Sequence, residues 1–231
     1  MSRWRSDATG THGRITDGVI SADGVIGKES PPERLGLFGG TFDPPHCGHL
    51  AAAVAARDAL QLDRVLMVVA NDPWQKSPYR TVTPAVDRLA MVEAAVEGLC
   101  SVEADRSEID RGGPTYTVDT VESQVAAARS QGRSAPHIFL VVGSDVLPGL
   151  STWERVAELR RRVTLAVVSR PGAPVRHHPR GWEMVEVQIE GVDISSSQVK
   201  ARLEHGESVE GMVPDPVIRC IRLRHLYAGG R

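Results

Sequence analysis

The chain has 231 residues, 41% of them apolar, and carries 27 Lys and Arg against 29 Asp and Glu, a formal net charge of −2. That length and apolar content suit one sizeable α/β domain, and the near-neutral charge excludes the strongly basic surface of a non-specific nucleic-acid binder. No apolar run approaches the roughly 20 residues that span a bilayer, so no membrane partner is expected.

Residues 1–33 are Gly/Ser/Asp-rich, show little periodicity and end in Ser30-Pro31-Pro32. They predict a disordered N-terminal extension, or a start placed too far upstream, ahead of a folded domain over 34–231. Residues 1–20 carry no apolar core of a secretory signal. Three dispersed cysteines, Cys47, Cys100 and Cys220, favour a reducing cytoplasm over a disulfide framework.

Leu35–Phe38 reads as a short strand that stops at Gly39-Gly40. The chain continues Thr41-Phe-Asp-Pro-Pro-His46-Cys-Gly-His49, and a helical stripe of Leu50, Ala53, Val54 and Arg57 follows. Strand, glycine loop and helix start form a place to hold nucleotide phosphates. Backbone N–H groups at a helix start have no intrahelical partner, and the helix dipole favours negative charge there. Gly39 and Gly40 allow close backbone approach. His46 and His49, three residues apart, share a helix face and can reach one phosphate. A metal site would need further ligands. Cys47 points about 100° off their face, and the chain has no Cys-x-x-Cys, so no metal is expected here.

Val65–Ala70 is the next apolar run of strand length, completing a βαβ unit. Thr83-Pro84 opens a helix with a stripe of Val86, Leu89, Val92 and Val96. Val118, Val121 and Val125 mark another, closed by Gly132. His137–Val142 is a buried-type strand ending at Gly143-Ser-Asp145. Ser151-Thr-Trp-Glu154 has the form of a capping box and predicts a helix reaching Arg160–Arg162. Val163–Val168 and Met184–Ile189 read as strands. Ser195–His205 is a short helix, and Asp215-Pro216 starts the last one, with Val217, Ile218 and Ile221 apolar. Alternating strands and helices predict an α/β fold, a Rossmann-like, doubly wound and mostly parallel sheet, with a small C-terminal helical segment. Ligands of such sheets bind at the carboxyl ends of the strands. Gly39–Thr41, Asn71–Lys76, Gly143–Asp145 and Ser169-Arg170 all follow strand ends.

A second phosphate signal lies in Ile194-Ser195-Ser196-Ser197-Gln-Val-Lys200. Three hydroxyls at a helix start can donate to phosphate oxygens, whereas an ordinary N-cap needs only one. Asp145 suits a ribose hydroxyl or, equally, a helix cap. Lys76 suits a phosphate or an exposed loop.

Gly39–His49 resembles the HxGH signature of the nucleotidyltransferase superfamily, and in its longer form that of the bacterial nicotinate-nucleotide adenylyltransferases. The likeness runs from residue 34 to Tyr227. Residues 194–200 resemble the superfamily's second signature, ISSTxxR, with Ser197 in place of Thr and Lys200 in place of Arg, which keeps the charge and loses the bidentate fork. The resemblance implies catalytic His46 and His49; ATP phosphates held by Gly39, Gly40, Thr41, Phe42, Ser195, Ser196, Ser197 and Lys200; and adenosine held by Gly143, Asp145 and Arg170. On the acceptor side it implies Asn71, Lys76, Tyr116, Thr117 and a stacking Trp153, with Glu154 where relatives carry Tyr. The implied reaction joins ATP and nicotinate mononucleotide to give deamido-NAD and pyrophosphate, with Mg²⁺ carried on the ATP phosphates. Alternatives are another acceptor (pantetheine phosphate or nicotinamide mononucleotide) and a non-catalytic nucleotide-binding module. No nucleic-acid partner is implied; a homo-oligomer is left open.

Overall fold

The structure, a computed structural model, describes residues 31–73, 82–169, 175, 177–191 and 193–227. The expected tail over 1–33 falls almost wholly outside the described residues, as do Trp74, Lys76 and the Arg170-Pro171-Gly172 segment.

Six strands, β1 (Arg34–Gly40), β2 (Arg64–Val69), β3 (Val102–Asp105), β4 (His137–Gly143), β5 (Val163–Ser169) and β6 (Met184–Gln188), pair side by side in the order β3-β2-β1-β4-β5-β6. Every pairing is parallel. Parallel strands need crossovers over the sheet faces, so both faces are covered and the central strands become continuous apolar runs. Alternation assigns the side chains. Val65, Met67, Val69, Phe139 and Val141 pack in one core with Ala52, Ala53 and Ala56 of α1 (Cys47–Ala59) and with Leu89 and Val92 of α2 (Ala85–Val96). Leu66, Val68, Ile138, Leu140, Val142, Leu165 and Val167 pack in the other, with Val118 and Val121 of α4 (Thr117–Ser130) and Leu159 of α5 (Val156–Arg162). A third cluster joins Met91 and Ala95 of α2 to Val199 of α6 (Ser196–Glu204) and to Val217, Ile218 and Ile221 of α7 (Asp215–Leu223).

Strand order reverses between β1 and β4, which makes their carboxyl ends the switch point where such sheets bind ligands. Gly36 lets α1's connection close onto β1: a Cβ there would sit 2.9 Å from both Leu62 Cδ1 and Val65 Cγ2.

Three local expectations need correction, and one stretch carried none. Of the expected α1 stripe, Ala53 is buried and Leu50 and Val54 pack against the core at its edge, but the fully buried face is completed by Ala52 and Ala56 rather than Arg57; small residues bring that helix close to the sheet. Val86 is 60% exposed, and the buried face of α2 includes Arg88 instead. Ser151–Glu154 forms no capping box. Leu147–Thr152 is a 3₁₀ turn, and the helix begins after Arg155, which sits at φ 48°. A short strand, β3, and a short helix, α3 (Ser107–Arg111), fill a stretch without a periodic signal.

Candidate active site

The loop leaving β1 is built around Phe42. Its ring is 2% exposed and lies under Gly40, where a Cβ would come 2.7 Å from the ring's Cζ. Phe42 itself holds φ 50°, a left-handed backbone that costs a bulky residue energy and persists because the ring is locked in the core. The Phe42 side chain is therefore not available to phosphate. The Phe42 ring edge meets His49 at 5.0 Å between centroids.

His46 is the N-cap of α1, and its own backbone N–H donates to His49 Nδ1 at 3.2 Å. His49 thus closes one limb of a capping box with an imidazole. Because Nδ1 accepts, the neutral ring carries its proton on Nε2 and can donate from that side. The two rings stack at 3.7 Å with an interplanar angle of 26°. His46 is buried. Cys47 N–H is already donated to Met212 O at 2.9 Å, so the helix start offers fewer outward N–H groups than expected.

The second serine-rich signal packs against this loop. Ser195 caps α6, its Oγ accepting from Gln198 N–H at 3.2 Å, and Ser196 Oγ donates to Pro44 O at 2.9 Å. Ser197 is exposed at the helix start. Lys200 Nζ lies 3.3 Å from Asp43 Oδ2 and 5.3 Å above the Tyr227 ring. Asp43 also accepts from Thr83 N–H at 3.3 Å and from Tyr227 OH at 2.6 Å. Burial pushes the Asp43 carboxyl up, but the Thr83 and Tyr227 hydrogen bonds and the Lys200 charge outweigh it and leave it below the ordinary range. Burial and the adjacent Asp43 push the Tyr227 phenol up, so it stays a donor.

A cavity of about 540 Å³ opens at the β1/β4 switch point. Gly39, Gly40 and Thr41 form one side, with Asp145 at the end of β4 beside them. Tyr116, Thr117, Trp153 and Glu154 also line the cavity, and are termed the acceptor wall after the role expected there. The structure thus brings seven of the expected residues onto one cavity. His46, His49, Ser195–Ser197 and Lys200 gather instead around the α1 and α6 starts, and the Gly39–Asp43 loop joins the two groups. Asn71 sits behind the wall: its Nδ2 donates to Gly113 O at 3.0 Å, and Asp72 bridges to Pro114.

Thr117 opens α4 and Tyr116 is its N-cap, so backbone donors and a hydroxyl converge there on any anion. Glu108 escaped the sequence reading, while Thr115 and Thr120 fall in the Arg111–Thr120 segment that reads as acceptor-side without being named individually as site residues. Glu108, 4% exposed, accepts from Thr120 Oγ1 at 2.6 Å, with Arg111 Nη2 4.0 Å away. Glu108, Thr115 and Thr120 all line the cavity. Burial pushes the Glu108 carboxyl up, more than Thr120, Thr115 and Arg111 pull it down. The available signal was the run of hydroxyls at Thr115, Thr117 and Thr120. Among the described residues no three His, Cys, Asp or Glu are grouped to hold a metal ion, and no helix is long and apolar enough to cross a membrane.

A cytidylyltransferase-like family model matches residues 37–202. A Methylibium petroleiphilum protein named "Probable nicotinate-nucleotide adenylyltransferase" is 41% identical over 211 residues, spanning 87% of this chain and 96% of its own length. A Corynebacterium kroppenstedtii protein of the same name is 39% identical over 199 residues, spanning 84% and 90%. Among solved structures, Plasmodium falciparum nicotinic acid mononucleotide adenylyltransferase complexed with NaAD superposes with a TM-score of 0.68 over 84% of this chain and 97% of that one. At 15% identity that likeness is one of fold.

Proposed function

This chain belongs to the nicotinate-nucleotide adenylyltransferase family, within the cytidylyltransferase-like group, and from that premise we propose how its own residues transfer an adenylyl group from ATP to nicotinate mononucleotide. The observation that carries the reading is a single cavity lined both by a glycine loop and by a helix start with Thr117, together with Trp153. The loop suits a phosphate chain, and the helix start and indole suit an aromatic ring bearing a carboxylate.

In the proposed reaction, a phosphate oxygen of the mononucleotide attacks the α-phosphorus of ATP in line. The bond from that phosphorus to the β-phosphate's bridging oxygen breaks, and pyrophosphate leaves. No covalent enzyme intermediate forms. Such chemistry rests on positioning and on stabilising charge at the transferring phosphoryl group. His49 Nε2, His46, the Gly39–Phe42 backbone, Thr41, Ser195–Ser197 and Lys200 are assigned to the phosphates. Gly143 and Asp145 are assigned to the adenosine ribose. Tyr116, Thr117, Trp153 and Asn71 are assigned to the acceptor. Arg170 and Lys76, outside the described residues, are assigned to adenosine and acceptor on sequence grounds. ATP enters as its Mg²⁺ complex, the ion riding on the triphosphate as part of the substrate. The described cysteines are unpaired thiols, which suits a cytoplasmic setting.

Pyrophosphate release, measured with ATP against nicotinate mononucleotide, nicotinamide mononucleotide and phosphopantetheine, tests the assignment. The acid should be preferred over its amide by at least ~10²-fold in kcat/KM, because an amide leaves two or more buried donors badly paired at ~1–3 kcal/mol each. Equal use of both mononucleotides would remove the nicotinate assignment.

A further inference from the structure

Arg88 is 1% exposed, the largest side chain buried so fully among the described residues, and does not itself line the cavity. Its guanidinium instead reaches three backbone carbonyls with three different nitrogens. Nη1 donates to Thr41 O at 2.8 Å, Nη2 to Asn71 O at 3.2 Å, and Nε to Thr83 O at 2.7 Å. Burying a full positive charge on neutral acceptors is costly. The opposite charge of Asp43 acts on it from farther off. An apolar side chain would fill the same volume in α2 without that cost, so the fork must return something other than packing.

The three carbonyls belong to three separate segments, of which the first lines the cavity and the second lies between the lining residues Ala70 and Pro73. Thr41 lies in the glycine loop. Asn71 lies in the loop after β2, and that loop is tied onward to the acceptor wall through Asn71 Nδ2 to Gly113 O at 3.0 Å and through the Asp72–Pro114 bridge. Thr83 leads into α2, and its N–H donates to Asp43 at 3.3 Å, closing a circuit back to the glycine loop. One planar group therefore fixes the distance between the donor side and the acceptor side.

We infer that Arg88 is a positioning residue of the reaction: it sets the register between the phosphate loop and the acceptor wall. This inference rests on the adenylyl-transfer reading. Misplacing two reactants by about 1 Å costs on the order of 10²-fold in rate, while each substrate still meets its own intact wall. The signature is a loss in kcat with little change in either KM.

The test compares the full-length wild type with Arg88→Lys, which keeps the charge on one atom and loses the three-way fork. Arg88→Gln, which keeps part of the fork and loses the charge, is the second variant. Rates are scaled to the folded fraction from thermal melts. If the wild type forms no deamido-NAD from ATP and nicotinate mononucleotide, the functional reading fails before the variants are compared. Given an active wild type, the expected result is a fall of ~10-fold or more in kcat for Arg88→Lys, with both KM values within about threefold. A smaller fall in kcat, or a rise in KM matching the fall, overturns the inference. So does failure of both variants to fold, which would make Arg88 a folding residue. If only Arg88→Gln folds, the same kcat and KM criteria apply to it.

Discussion

His49 joins two roles at different ring atoms, and they can be separated by substitution. Nδ1 accepts the His46 N–H at 3.2 Å and so holds the α1 start. Nε2 is the donor assigned to the transferring phosphate. His49→Ala removes both. Losing the cap costs about 1 kcal/mol, and losing the ring contacts at 3.7 Å with His46 and 5.0 Å with Phe42 costs about another. The expected loss of about 2 kcal/mol lowers the thermal midpoint by roughly 4–8 °C, at about 2–4 °C per kcal/mol for a domain of this size. Loss of one donor aimed at developing charge lowers kcat by about 10²–10³. In His49→Asn, Oδ1 stands where Nδ1 stood and can still accept the His46 N–H, but nothing reaches the Nε2 position. That variant should recover roughly half of the lost stability and none of the lost rate. Calorimetric melts and steady-state pyrophosphate release on the same three samples read the two quantities. Recovery of kcat in step with stability would refute the division of roles and make His49 a structural cap alone.

Glu108 should leave a mark on pH dependence. Its carboxyl is held above the ordinary range by burial, so the folded chain keeps a proton that the unfolded chain has lost. Its favourable contribution is complete below the unfolded value and fades as pH rises through the folded one. Glu108→Gln should therefore gain stability relative to the wild type from acid to neutral pH; parallel urea midpoints across that window would contradict the assignment. In Gly40→Ala the added Cβ meets the Phe42 ring at 2.7–3.0 Å, predicting about 1–3 kcal/mol of destabilisation and a raised KM for ATP, whereas an unchanged melt would mean the ring moves freely. Trp153→Ala should impair both mononucleotides through lost stacking, while Thr117→Val narrows the gap between acid and amide; an unaltered acid-to-amide ratio in competition kinetics would remove Thr117 from the carboxylate site.

The fold was readable because the central strands are long apolar runs and the connecting helices carry clear stripes. Gly39–His49 and Ser195–Lys200 stood out because glycine pairs, paired imidazoles and serial hydroxyls have few other uses at a strand end or helix start. β3 escaped notice because four residues, Val102–Asp105, are too few to display a period. The Ser151–Glu154 pattern matched a capping box, but tertiary packing of Leu147 and Leu150 draws that segment into a 3₁₀ turn. Arg88 gave no signal at all. An arginine between apolar helix positions normally marks the solvent side, and only the folded loops supply the carbonyls that make burial tolerable. Glu108 was hidden likewise, since its partner Thr120 belongs to the following helix.

The bond between Tyr227 and Asp43 links residues 184 positions apart. During synthesis the signature loop emerges early, and all six strands are complete by Gln188. The phenol that anchors the loop arrives last, roughly 10–40 s after Asp43 at bacterial-to-eukaryotic elongation rates of about 5–20 residues per second. A nascent or truncated chain can thus hold the whole sheet while the Gly39–Asp43 loop lacks that anchor. A deletion or insertion placed just ahead of Tyr227 would be felt at a loop 184 positions upstream.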